Sequence, residues 1–75
     1  MSFYVSHVAP LQRARVHRGA CPQCLEGQGQ EPLPKNAKGK TEWSKPFATA
    51  LDARTYMMKT FARYKSLAMC PACQP

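Results

Sequence analysis

Along residues 2–8, SFYVSHV, apolar side chains roughly alternate with hydroxyl or imidazole ones, and β-branched and aromatic types dominate. Period-two patterning of this kind predicts a short strand, ended at Ala9-Pro10 because proline has no N–H to give to a ladder. The next run, QRARVHR (12–18), sets arginines at 13, 15 and 18 around Val16 and reads as a second strand leading into Cys21 and Cys24. From Leu25 to Lys45 the pattern dissolves: three of the four glycines lie here, with several prolines and lysines, and Leu33 and Trp43 are almost the only apolar side chains. This composition predicts a polar, mobile loop over residues 26–45. A lone tryptophan beside such a loop serves either to cover part of a small core or, as the functional alternative, to stack on a base.

After Pro46 the period becomes helical. Thr49 or Ser44 can cap, and ATALDARTYMMKTFARYK (48–65) runs on without Gly or Pro. At about 100° per residue, Phe47, Ala50, Leu51, Met57, Met58, Phe61 and Tyr64 gather on one side, opposite Asp52, Thr55, Lys59 and Arg63. Met57 and Met58 are therefore expected to fill core. Arg54 lies within the apolar arc, where its stem can cover core while its head reaches water or an anion. The helix is followed by SLAMCPACQP, in which Pro71 and Pro75 favour a tight turn.

Size changes the picture. A chain of 75 residues supports one domain, and at about this length folding buries only about 60% of the unfolded surface. Three Phe, three Tyr, one Trp and four Met make a thin core, so an additional staple is expected. The start of the chain lacks a basic segment followed by an apolar stretch, so no signal peptide is expected and a cytoplasmic location follows. In a reducing compartment, paired Cys-x-x-Cys elements are more often metal ligands than disulfides.

Those pairs are CPQC (21–24) and CPAC (70–73), with His17 four residues before the first. Two cysteines separated by two residues reach one ion because the intervening turn folds back, and proline after the first cysteine pre-sets that turn. The spacer, Leu25 to Met69, is far wider than the roughly 15–20 residues of common ribbon sites. Five ligands compete for four positions around one structural Zn2+. In one set Cys21, Cys24, Cys70 and Cys73 bind; in the other His17 replaces Cys24. A four-thiolate zinc site carries net charge −2, which Arg13, Arg15 and Arg18 would soften, whereas one histidine and three thiolates carry −1. Spacing favours the four cysteines, since a spare thiol beside zinc is open to oxidation.

VHRGAC, then FATALDA, then MCPACQP, resembles the zinc-binding domain of the Ada-type DNA alkylation-repair proteins and their small treble-clef relatives, with the matching positions scattered over residues 3–75. Those domains run strand, first ligand pair, loop, an aromatic residue opening a helix, then a closing Cys-x-x-Cys followed by a polar or basic residue and proline. The resemblance implies a small α+β zinc-binding domain, treble-clef-like, with a short β-hairpin and one long helix around the metal. His17 stands where that family has a cysteine that accepts a methyl group from a DNA phosphotriester. An imidazole cannot do that chemistry, so the resemblance carries zinc binding and a nucleic-acid preference but speaks against methyl transfer. It also brings His17 level with Cys24 as fourth ligand.

Charge adds the partner class. Eleven Lys and Arg against four Asp and Glu give +7, a balance that suits polyanions. No constellation of acid, base and nucleophile is visible, so neither an enzyme nor a small-molecule substrate is expected, and nothing approaches a membrane span. The leading expectation is a zinc-stabilised basic domain that binds nucleic acid, DNA before RNA. Its phosphate contacts would come from Arg13, Arg15, Arg18, Lys35, Lys38, Lys40 and Lys45. The alternative is a zinc-stabilised adaptor for a protein partner, of the kind phages and plasmids encode, docking through the same face or through Phe3, Tyr4 and Tyr56.

Overall fold

A computed structural model describes residues 2–30, 39 and 41–71. Two adjacent strands, β1 (Phe3–Val8) and β2 (Arg13–Arg18), form the predicted hairpin. They are joined by a single 3-10 turn, Ala9–Leu11, with Pro10 in its first turn. Gln12 closes that turn in the left-handed region at φ 50°, donating its N–H to the Ala9 carbonyl at 3.0 Å. Two further strands flank the hairpin. β3 (Glu42–Trp43) pairs antiparallel with β1, and β4 (Ser66–Met69) pairs parallel with β2, giving the order β3-β1-β2-β4.

The result is a small α+β domain, a four-stranded mixed sheet with one helix, α1 (Ala50–Thr60). It differs from a hairpin with one long helix in two ways. The tail of the expected loop supplies β3, and the segment expected as a turn supplies β4. The pairing of β3 is carried past Trp43 by a bulge. Register moves from Ser6↔Trp43 to a bridge at Phe3↔Phe47, and within the offset Ser44 accepts the Val5 N–H on its Oγ at 2.9 Å. Pro46, which has no N–H, falls inside the offset, where no ladder donor is required.

Alternation sorts the sheet into two faces. Val5, Ala14 and Val16 point to one, and Ala53, Met57 and Phe61 of the helical segment pack on them, with Leu67 and Met69 of β4 at the side. The helix begins where predicted. Thr49 Oγ1 accepts the Asp52 N–H at 3.1 Å, Asp52 lies in the first turn and Lys59 in the last, each suited to the local end of the helix dipole. It stops earlier than the composition suggests, because Phe61 turns into the core against His7, Tyr56 and Tyr64, with ring centroids 4.7, 6.2 and 4.8 Å away.

Leu51 and Met58, expected in the core, are 68% and 50% exposed, and Arg54 is exposed as well. An 11-residue helix lying on so small a sheet buries only a narrow seam, occupied by Ala53 and Met57 four residues apart. Tyr4, proposed as an exposed docking residue, is buried, and Phe3 and Tyr56 are half-buried. Among the described residues no helix is long and apolar enough to cross a membrane.

Candidate metal centre

The sheet face opposite the helix carries the second cluster of buried side chains. Register stacks it in rows. Tyr4 lies opposite His17, Ser6 opposite Arg15, and Val8 opposite Arg13. Because β4 runs parallel to β2 with Val16 beside Met69, the next residue, Cys70, arrives beside His17, and its N–H donates to the Val16 carbonyl at 2.9 Å. The geometry that delivers Cys70 is thus the strand absent from the sequence-based expectation.

Cys21 comes from the chain just past β2. Its N–H donates to the Arg18 carbonyl at 3.0 Å, and its own carbonyl then accepts the N–H groups of Cys24 and Leu25, both at 2.9 Å. Leu25, Glu26 and Gly27 follow in succession at φ 47°, 56° and 83°, so three left-handed residues fold the chain back over the knuckle. Side chains at the first two make this a strained path that surrounding contacts must hold. One such contact is the Glu26 N–H to the Gly19 carbonyl at 2.9 Å; another is the Cys24 carbonyl, which accepts both Gly27 and Gly29 N–H groups at 3.0 and 2.7 Å. At Gly29 a Cβ would stand 2.3 Å from the backbone oxygen of Gln23, so the fold-back admits no side chain there.

These elements bring one ring nitrogen of His17 and the sulfurs of Cys21 and Cys70 within 4.8 Å of one another, all three residues buried. A tetrahedral site with bonds of about 2.0–2.3 Å sets its ligand atoms roughly 3.3–3.8 Å apart, so a small contraction would close this group on an ion. One imidazole and two thiols form a donor set for a borderline-soft divalent metal rather than for Mg2+ or Ca2+, which take oxygen. The cluster could hold a metal ion. Cys24, buried in the same cluster as Cys21, Cys70 and Tyr4, does not join the group at that distance, and Cys73 lies outside the described residues. Cys21, Cys24 and Cys70 are free thiols.

Two aromatic residues wall the cluster. Trp43 presents to the His17 ring at 5.1 Å in an edge-on arrangement, and its indole N–H donates to the Gly29 carbonyl at 2.9 Å. Its covering role is thereby met. Tyr4 packs against the cysteines and donates its hydroxyl to Glu26 Oε2 at 3.2 Å; burial and that hydrogen bond raise the phenol above its ordinary pKa. Burial likewise pushes the Cys24 thiol up, reinforced by Cys21 and Glu26, while the nearby Gly27 and Glu26 backbone N–H groups pull the other way.

Ser6, which sequence reasoning did not pick out, lies against the His17 ring. Fully buried, its Oγ lies 3.2 Å from His17 Nε2 and donates to the Arg15 carbonyl at 3.4 Å. Only the hairpin register, which sets Ser6 diagonally across from His17, could have pointed to it.

The candidate phosphate contacts are less concentrated. Arg13 and Arg15 belong to the face of the metal cluster and are half-buried, Arg18 is exposed at the end of β2, and Lys45 is exposed with Nζ 5.8 Å from the Phe47 ring centroid. Lys35, Lys38 and Lys40 lie outside the described residues. Exposed Arg54, Lys59, Arg63 and Lys65 add positive charge on and after the helix. No family model, curated protein or solved structure matches this chain.

Proposed function

We propose that this chain is a zinc-stabilised basic domain that binds nucleic acid, DNA in preference to RNA, through phosphate contacts. The observation that carries the metal half is the buried group of His17, Cys21 and Cys70, drawn from two distant stretches of a chain with a thin core. A structural zinc ion in such a small domain contributes about 10–16 kcal/mol of apparent binding energy, and that energy is folding energy. Cys24 and Cys73 compete for the fourth position. The order of hairpin, Cys21, helix and closing Cys70 supports the treble-clef-like, Ada-type reading, with His17 standing in for the methyl-accepting cysteine.

The nucleic-acid half rests on the +7 charge and on Arg13, Arg15 and Arg18 rising from the strand that also supplies His17. Arg13 and Arg15 lie half-buried on the face of the metal cluster and Arg18 stands exposed at the end of the strand, an arrangement that supports contacts to the nucleic-acid backbone over base reading. Measured by fluorescence anisotropy on duplex DNA, log affinity should fall linearly with log salt, by about 0.9 per phosphate neutralised. A flat salt response removes the reading. Exposed Leu51 and Met58, two turns apart on the outer side of the helix, favour a second reading, an adaptor for a protein partner. It predicts salt-insensitive capture of a partner that Leu51→Ser and Met58→Ser together abolish.

A further inference from the structure

We infer that Ser6 is a positioning residue for the metal: it selects the tautomer of His17, so that Nδ1 and not Nε2 becomes the ligand atom. The inference rests on the zinc reading above and deepens it. A serine hydroxyl has one proton and two lone pairs. With the Ser6 proton assigned to the Arg15 carbonyl, 3.4 Å away, the oxygen offers a lone pair toward His17 Nε2 at 3.2 Å. Nε2 then carries the ring proton and donates it to Ser6. Nδ1 is left with the lone pair a metal requires.

Three further observations agree. Nδ1 is itself buried, so its lone pair is held within the protein rather than in water. Both Ser6 and His17 have no exposed surface, which makes their mutual orientation costly to change. The strand pairing fixes the rest, since Ser6 opposes Arg15, two residues before His17 on the same face, so the chain Arg15 carbonyl, Ser6 hydroxyl, His17 ring runs along one side of the hairpin. A hydrogen-bond acceptor behind a metal-bound imidazole orients the ring and raises its basicity, and loss of such a partner typically weakens metal binding by about 10–100-fold.

The test uses the full chain loaded with Zn2+. Two-bond proton–nitrogen correlation of the histidine rings should show His17 with a proton-bearing Nε2 and a zinc-shifted Nδ1. In competition with a chromophoric chelator, Ser6→Ala should bind Zn2+ about 10–100-fold more weakly, and Ser6→Thr, which restores the hydroxyl, should recover most of the affinity. Zinc bound through Nε2, or zinc affinity unchanged in Ser6→Ala, overturns the role of Ser6 while leaving the zinc reading intact. A wild-type chain that takes up no zinc overturns both. Should Ser6→Ala fail to fold, the wild-type ring spectrum alone decides.

Discussion

Trp43 reaches from β3 to Gly29, its indole N–H on the glycine carbonyl at 2.9 Å, and so fastens an edge strand of only two residues to the loop that follows the first cysteine pair. It is also the only tryptophan, with its ring 5.1 Å from that of His17. Its emission should therefore report on the metal centre. Addition of Co2+, an open-shell ion that quenches nearby indoles, is expected to dim the fluorescence in proportion to occupancy, and His17→Ala should lessen the effect. Emission indifferent to Co2+ at stoichiometric loading would place the ion elsewhere.

Removing the metal should remove the fold. With chelator and reductant present, the cooperative thermal transition is expected to disappear, since the apolar cluster under the helix is small. Native mass spectrometry of Cys21→Ser and Cys70→Ser should show zinc lost, whereas Cys24→Ser retains it if Cys73 completes the site and loses it if Cys24 does. A chelated protein that keeps a sharp melt and a dispersed amide spectrum contradicts the proposal.

The two adjacent methionines should separate cleanly. Met57 is 3% exposed inside the seam and Met58 is 50% exposed outside it. Met57→Ala is expected to cost about 2–5 kcal/mol in denaturant unfolding, and Met58→Ala less than about 0.5 kcal/mol. Equal costs would mean the helix is rotated about its axis relative to this structure.

At the knuckle, Gly29→Ala forces a methyl group to within 2.3 Å of the Gln23 carbonyl oxygen, a contact no rotamer relieves. A loss of about 2–4 kcal/mol or outright failure to fold is expected, together with weakened zinc uptake. A Gly29→Ala chain as stable as wild type, by circular dichroism melting, would refute this path for the fold-back.

Thr49→Ala offers a gentler check on the helix start. Loss of the Oγ1 acceptor for the Asp52 N–H should cost about 1 kcal/mol without disturbing metal binding. A cost near zero would mean that the first turn is held by its packing alone.

The hairpin was legible because its two strands alternate clearly, and the helix start because Thr49 precedes a run free of Gly and Pro. β4 was not. SLAM is too short for its period to register, and the reason it is a strand lies elsewhere, in an edge of β2 left open for parallel pairing. That omission hid part of the site. Five candidate ligands could be named from spacing, but which of the described ones meet depends on Val16 lying beside Met69, since this register sets Cys70 next to His17. The helix face was overestimated for a related reason: periodicity counts every apolar residue on an arc, while within the helix itself only Ala53 and Met57 are buried.

The parallel pairing of β4 with β2 also dictates an order of events. A hairpin closes locally, but β4 cannot join β2 until the loop, β3 and the helix have all been laid down between them, and search entropy grows with that separation. Along an emerging polypeptide the candidate ligands therefore accumulate rather than appear at once: His17 and Cys21 come first, with Cys70 much later. On the zinc reading, the early chain would offer only part of the ligand set, and tight capture would wait for the last strand, so that holding the ion would certify a finished molecule.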